Sequence, residues 1–266
     1  MQTAQETVPD GAESAHYSVV RADYSVWHRM LEVFGVFSAY SMVCWLCYRF
    51  VVVADDAYVV GETARGHWLV ATIVGALLAG YVLADFGSGI VHWTFDRYGN
   101  DRTWLLGANF VKPFRNHHVD PRDITRHDFI ETNGNNCLFT MPILAGFTFL
   151  PLDFDNAGVL FAVALWTFAS IFTFATNQFH KWAHTPEPPA FAVWLQEKHI
   201  ILPRDHHKIH HTFPYETHYC ITTGWMNGVM SRFGVWALME RVIEAVSGVK
   251  AHRDPAPVEL VDDGVR

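Results

Sequence analysis

An uncharged stretch of nineteen residues, 158–176, constrains this chain more than any other feature of its sequence. As an α-helix with a rise of about 1.5 Å per residue, the stretch would cover about 28 Å, close to the thickness of a membrane's hydrocarbon core. A surface helix of a soluble protein is normally apolar on one face only. We therefore predict that this segment crosses a membrane.

Three further apolar segments, residues 33–54, 68–84 and 136–152, approach spanning length. Only 17% of the residues are charged, whereas a soluble domain carries about a quarter. Arg49 lies near the end of the first segment and Pro142 lies inside the third, so buried helices of a soluble fold stay open for these two. The pattern predicts an all-α integral membrane protein with about four transmembrane helices.

Basic residues lie on one side of the predicted helices. The connection between the second and third segments and the region after the fourth contain Arg97, Arg102, Lys112, Arg115, Arg122, Arg126, Lys181, Lys198, Arg204 and Lys208. The opposite connections carry mostly acids. Because basic loops stay in the cytoplasm, both termini are predicted to be cytoplasmic, in a bacterial inner membrane or in the endoplasmic reticulum.

The ends of the chain differ in composition from its centre. We expect a solvated N-terminal arm over residues 1–30, a membrane domain over residues 31–250 and a polar C-terminal tail over residues 251–266. The formal charge of −8 argues against nucleic acid as a partner. Cys44 and Cys47 have redox-motif spacing, but we interpret them as helix residues because their surroundings are apolar.

Histidines are concentrated on the predicted cytoplasmic side, where twelve of the sixteen lie between His92 and His218. His92 follows the second apolar segment and has Asp96 four residues later. His180 and His184 follow the fourth segment and share one helix face. Because both helices would run from outside to inside, we expect them to deliver these side chains to the same depth.

The run of residues 206–211 contains four histidines between Pro203 and Pro214. The prolines predict a short helix over residues 204–212. On such a helix His206 and His210 form one i, i+4 pair. His207 and His211 form a second pair, which faces about 100° away from the first. The run is therefore suited to supplying ligands to two neighbouring metal ions.

So many imidazoles beside a membrane would be costly without a cation to bind. The sequence has no clustered thiols for structural zinc and no ligand grouping typical of electron-transfer copper, and haem needs only one or two axial ligands. Two iron ions account best for the number of histidines. Such a pair could activate O₂ to break an unactivated C–H bond, which indicates an acyl or alkyl chain as substrate.

Five stretches, residues 114–118, 124–137, 177–185, 201–211 and 219–227, resemble the Kua family of membrane lipid desaturases. The resemblance covers about residues 70 to 250 and is closest to the members that form plasmalogens. It implies a cytoplasmic histidine-rich cap with a di-iron site. The implied reaction is O₂-dependent desaturation of the ether-linked alkyl chain of a plasmanyl phospholipid to a vinyl ether.

The resemblance also implies an external electron donor of the cytochrome b5 or ferredoxin type, since no flavin or nicotinamide fingerprint is found in the sequence. It leaves the substrate open, because a plastid relative desaturates a phospholipid acyl chain. Two other classes remain as alternatives. One is a membrane metal-binding protein that is not an oxygenase, and the other is a non-catalytic scaffold.

Carried over position by position, the resemblance implies eight catalytic iron ligands, His92, His117, His118, His180, His184, His207, His210 and His211. A second set, as further ligands or as groups that orient the ligands, is Asp96, His127, Glu131 and His206. We interpret residues 133–136 as a turn that enters the third apolar segment, where it could close the site or meet the headgroup. The family usually has a histidine after the proline of the 214–216 stretch and an aromatic residue at position 218, so His218 could replace that histidine. Its role and that of His199 stay open.

Overall fold

The computed structural model describes residues 25–100, 102–104, 107 and 111–254. Regular secondary structure in these ranges is helical throughout, which confirms the predicted all-α class. The α-helices are α1 (Val26–Val59), α2 (Thr63–Arg97), α3 (Lys112–Val119), α4 (Asp123–Arg126), α5 (Phe129–Phe149), α6 (Ala157–His184), α7 (Ala190–Glu197), α8 (Arg204–His210), α9 (Trp225–Arg232) and α10 (Val235–Ser247).

Three helices, α1, α2 and α6, are long and apolar enough to cross a membrane. They contain the first, second and fourth apolar segments of the sequence. Residues 136–149 of the third segment lie in α5, which is 21 residues long but begins with several polar side chains and contains Pro142. A fourth membrane crossing through α5 and the cytoplasmic orientation of the termini stay predictions.

The predicted domain boundaries at residues 30 and 250 stay predictions. Helix α1 begins at Val26, inside the predicted arm, and residues 1–24 of that arm lie outside the described residues. At the other end, residues 251–254 of the predicted tail are described and contact the rest of the protein, since the His252 N–H donates to the Arg97 carbonyl.

Close approach at Gly80 brings α2 and α6 together. A Cβ atom added at Gly80 would lie 2.9 Å from both the Leu165 carbonyl oxygen and the Ala169 nitrogen. Small residues at such crossings allow the backbones of membrane helices to pack directly. The two helices run in the same direction, so their C-terminal ends lie together.

The interpretation of residues 133–136 as a turn is wrong, because these residues lie inside α5. A Cβ atom added at Gly134 would lie 2.5 Å from the Glu32 Cβ atom of α1. The Asn133 side chain donates to the Phe129 carbonyl, and the Asn136 side chain donates to the Thr173 carbonyl of α6. The small and amide residues therefore serve helix packing, which explains a composition that resembles a turn.

An apolar core fixes the shorter helices α9 and α10 to the C-terminal end of α2. It consists of Trp93, Tyr219, Cys220, Met230 and Trp236, all buried. The Trp93 and Trp236 rings stack with centroids 5.8 Å apart. This core attaches α9 and α10 beside the histidine-bearing turns of α2.

We predict that Gly80→Ala destabilises the protein, because the added methyl group meets backbone atoms of α6 that cannot rotate away. Overpacking of this kind costs about 1–3 kcal/mol. The measurement is the thermal unfolding temperature of the purified protein in detergent. Gly75→Ala on the same helix is the matched control, since nothing lies within 4 Å of its added Cβ atom. Equal unfolding temperatures for the two variants would contradict the proposed close approach.

Candidate metal centre

The predicted ligands converge in two clusters. The first, called the five-histidine cluster, consists of His117, His180, His184, His207 and His211. The second, called the mixed cluster, consists of His92, Asp96, His118 and His210. Within each cluster the ligand atoms all lie within 4.8 Å of one another. The structure thus brings together all eight residues of the first predicted set, together with Asp96 from the second.

Four helices supply these side chains. Asp96 and His92 occupy the last two turns of α2, and His180 and His184 occupy the last two turns of α6. The remaining ligands come from two short helices: α3 contributes His117 and His118, and α8 contributes His207, His210 and the C-cap residue His211. Adjacent histidines of α3 face different clusters, and so do those at the end of α8. The short helices therefore lie between the two sites and serve both.

Ring nitrogens in the five-histidine cluster are too close together to be explained by hydrogen bonds. The Nε2 atoms of His117, His180 and His184 form a triangle with edges of 3.0, 3.0 and 3.1 Å. The Nε2 atom of His207 lies 2.9 Å from that of His180 and 2.8 Å from that of His184. A neutral imidazole nitrogen carries either one proton or one lone pair, so three such atoms cannot all pair with one another. One shared cation satisfies them all.

The spacing of these nitrogens also fits a metal ion. Ligand atoms about 2.1 Å from one ion and at right angles to each other are roughly 3.0 Å apart. Burial, followed by the neighbouring histidines, lowers the pKa of His117 and His207 well below the usual value. Both rings are therefore neutral at pH 7 and offer a lone pair to the ion.

Asp96 lies at the centre of the mixed cluster. Its Oδ2 atom is 3.3 Å from the Nε2 atom of His92, 3.4 Å from that of His118 and 3.5 Å from that of His210. The Asp96 side chain is only 3% exposed, and neither carboxylate oxygen has a hydrogen-bond partner. A buried carboxylate of this kind is costly unless a cation pairs with it.

Backbone carbonyls determine the tautomers of two ligands in the mixed cluster. The Nδ1–H of His92 donates to the Tyr219 carbonyl at 3.1 Å, and the Nδ1–H of His210 donates to the Thr217 carbonyl at 2.8 Å. Burial lowers the pKa of His210 to about 3, so its ring stays neutral. The Nε2 lone pair therefore points at the Asp96 carboxylate, an arrangement that is repulsive unless a metal ion lies between them.

Asp85, which the sequence analysis did not single out, holds the loop that supplies the Tyr219 carbonyl. The Asp85 side chain is fully buried, and its two carboxylate oxygens accept four backbone N–H groups of that loop. The donors are Thr222, Thr223, Gly224 and Met226. An acid directly after the uncharged apolar segment 68–84 was the available signal, because such a group needs several donors.

Three residues of the second predicted set, His127, Glu131 and His206, lie outside both clusters. His127 Nε2 is 3.5 Å from an Asp123 carboxylate oxygen and 3.8 Å from a Glu131 carboxylate oxygen. His206 Nε2 accepts a hydrogen bond from the Asn227 side chain at 3.0 Å. Their predicted role in orienting ligands stays a prediction.

The two histidines of open role also lie apart from the ligand atoms. The His199 carbonyl accepts the Trp225 Nε1–H, and the His218 Nδ1 atom lies 2.9 Å from the Thr217 hydroxyl. Thr217 supplies the carbonyl that orients His210, so His218 borders the mixed cluster through the backbone.

A cleft of about 1310 Å³ opens beside the five-histidine cluster. His184, His207 and His211 form part of its wall, and the basic residues Arg122 and Arg204 also line it. The cleft gives polar molecules a route to one edge of this cluster.

We predict that each protein molecule binds two metal ions. His207→Ala and His210→Ala should each reduce this metal content by about one ion, because the two residues face different clusters. Metal analysis of the purified protein measures the content. His206→Ala is the matched control from the same helix and should retain both ions. Equal metal loss in all three variants would contradict the division into two clusters.

Comparisons with known proteins agree with this site. Residues 81–254 match the model of the lipid desaturase domain. The chain is 40% identical to the plasmanylethanolamine desaturase of Myxococcus xanthus over 91% of this chain and 81% of that protein. It is 39% identical to plasmanylethanolamine desaturase 1 of Mus musculus over 92% of this chain and 88% of that protein.

A more distant relative is the chloroplastic fatty acid desaturase 4 of Arabidopsis thaliana, which is 37% identical over 65% of this chain and 52% of that protein. No solved structure matches the chain. The family match covers well over half of the sequence and includes every residue of both clusters. The resemblance identified from the histidine-rich motifs is confirmed, and the chain belongs to the lipid desaturase family.

Proposed function

We propose that this protein desaturates the ether-linked alkyl chain of a plasmanyl phospholipid, which yields the vinyl ether of a plasmalogen. The observation that carries the proposal is the pair of ligand clusters at the ends of two apolar helices. The names of the two relatives at about 40% identity indicate the substrate class.

We propose iron for both clusters, with one ion in each. The donor set is eight imidazoles and one carboxylate, and the described cysteines lie outside it. Imidazole and carboxylate ligands suit iron, whereas thiolate ligands would favour zinc or copper(I). Bound iron would supply the oxidising power that activates O₂ to break an unactivated C–H bond.

The reaction removes one hydrogen from each of the first two carbons of the alkyl chain, and a double bond forms beside the ether oxygen. The atoms balance when one O₂, two electrons and two protons give two molecules of water. The electrons come from an external carrier, for which we propose a protein of the cytochrome b5 or ferredoxin type.

The position of the clusters suits a reaction close to the headgroup. About six covalent bonds separate the phosphorus from the first alkyl carbon, so the phosphate lies within roughly 8 Å of that carbon. A centre that attacks this bond must therefore lie near the membrane surface. The last two turns of α2 and α6 meet this requirement, because the ligands follow the apolar parts of both helices.

The protein's own residues hold the ligands in place and bury most of their surface. His92, His207 and His210 are fully or almost fully buried, so bulk water has little access to their metal-facing nitrogens. The Tyr219 and Thr217 carbonyls keep the Nδ1 protons of His92 and His210 in place. The Asp96 carboxylate supplies the negative charge that balances the ion in the mixed cluster.

We propose that the site faces the cytoplasm and that the host membrane is a bacterial inner membrane or the endoplasmic reticulum. The basic residues of the cap support this orientation, since such residues are retained on the cytoplasmic side. A soluble or membrane-anchored electron carrier could then approach the clusters directly.

Desaturation of a phospholipid acyl chain is the second candidate function. The similarity to a chloroplastic fatty acid desaturase favours it. Acyl carbons next to the ester are also close to the headgroup, so the location of the clusters does not separate the two substrates. The product must decide between them.

We predict that cells lacking vinyl ether lipids accumulate them when they express this protein and receive an alkyl ether lipid precursor. Mass spectrometry should detect an acid-labile phospholipid two hydrogens lighter than its precursor. His210→Ala is the matched inactive control.

A new double bond in an acyl chain, without any vinyl ether, would favour the second candidate. The absence of both products from cells that contain iron-loaded protein and a competent electron carrier would refute the desaturase proposal.

A further inference from the structure

The segment that follows α10 lies against the mixed cluster. Three consecutive residues attach it: the His252 N–H donates to the Arg97 carbonyl at 2.7 Å, and Arg253 forms ion pairs at 2.7 and 2.9 Å. The third residue, Asp254, places a carboxylate oxygen 3.6 Å from the Nδ1 atom of His118. Residues 252–254 therefore pack against the rest of the described protein.

The partners of Arg253 tie the segment to α2. Arg253 pairs with Glu216 and Glu240, and the same two carboxylates pair with Arg97. Arg97 is only 2% exposed and directly follows the cluster residue Asp96. These contacts connect the segment, α10 and the end of α2 beside one ligand set.

His118 differs from the two other histidines of the mixed cluster in what faces its Nδ1 atom. In His92 and His210 that nitrogen donates to a backbone carbonyl. In His118 it is buried without a hydrogen-bond partner, and the Asp254 carboxylate is the charged group beside it. A separation of 3.6 Å is slightly longer than a hydrogen bond, so a small movement of the side chain closes it.

We infer that residues 252–254 complete the mixed cluster and that Asp254 is a positioning residue for His118. The Asp254 carboxylate accepts the Nδ1–H, which leaves the Nε2 lone pair of His118 directed at the metal ion. Carboxylate, histidine and metal commonly form such a row, and loss of the outer carboxylate weakens metal binding about 10–100-fold. The inference rests on the proposed metal site, and the family match extends to residue 254.

His252 and Arg253 have a different role from Asp254. They hold the backbone of the segment without touching a ligand, and His252 also lies 3.4 Å from the Asp254 carboxylate. Removal of the Arg253 side chain should therefore weaken the position of Asp254 while the ligands themselves remain intact.

The test measures metal loss from the iron-loaded, full-length protein on addition of a chelator. Asp254→Ala should release one of two ions about 10–100-fold faster than the unaltered protein. Asp254→Asn keeps the shape of the side chain and removes its charge, so its rate of metal release should lie between those of the unaltered protein and Asp254→Ala. Arg253→Ala should increase the release rate by less than Asp254→Ala does. The iron absorption spectrum should change in Asp254→Ala and return toward the original in Asp254→Glu.

Lys250→Ala is the matched control, because Lys250 is 82% exposed and pairs only with Glu244 among the described residues. Unchanged release of both ions from Asp254→Ala and Asp254→Asn would overturn the inference. Since metal retention is measured without substrate, an unaltered protein that holds two ions but forms no vinyl ether would contradict the proposed function and leave this inference standing.

Discussion

Eight imidazoles and one buried carboxylate direct their metal-binding atoms at two common centres, and the arrangement is stable only with positive charge between them. The nitrogen triangle of about 3.0 Å cannot be satisfied by protons alone, and the lone pairs directed at the Asp96 carboxylate favour a cation between them. The fold around the clusters follows from this constraint, because four helices must place ligands within a few ångströms of one another. Gly80 serves it by allowing α2 and α6 to pack backbone to backbone.

Support for the ligands extends outward through the backbone. Asp85 accepts four N–H groups of one loop, that loop presents the Tyr219 carbonyl, and the carbonyl orients His92. The C-terminal segment extends the same principle to His118. A buried acid in a membrane helix thus fixes a loop, and the loop fixes a ligand, so residues without metal contact determine the geometry of the site.

Local periodicity made much of the site predictable. The i, i+4 pairs of α2 and α6 follow from the helix repeat, and both pairs lie where the apolar segments end. The same repeat placed His207 and His211 on one face of α8 and His210 on another, and the resemblance set His206 apart from these three ligands. Which other helices complete each cluster was not predictable, since it depends on how α8 is rotated between its neighbours. The polar residues 133–136 resembled a turn because local composition does not reveal the close packing of α1 on Gly134. The contribution of Asp254 depends on long-range contacts, which a sequence pattern does not report.

The most direct test of the central claim is anomalous X-ray scattering at the iron edge from crystals of the iron-loaded protein. The account predicts two iron peaks, one among the Nε2 atoms of the five-histidine cluster and one between His92, Asp96, His118 and His210. A single peak, or a peak beside His127, Glu131 or His206 in place of one of these, would contradict it.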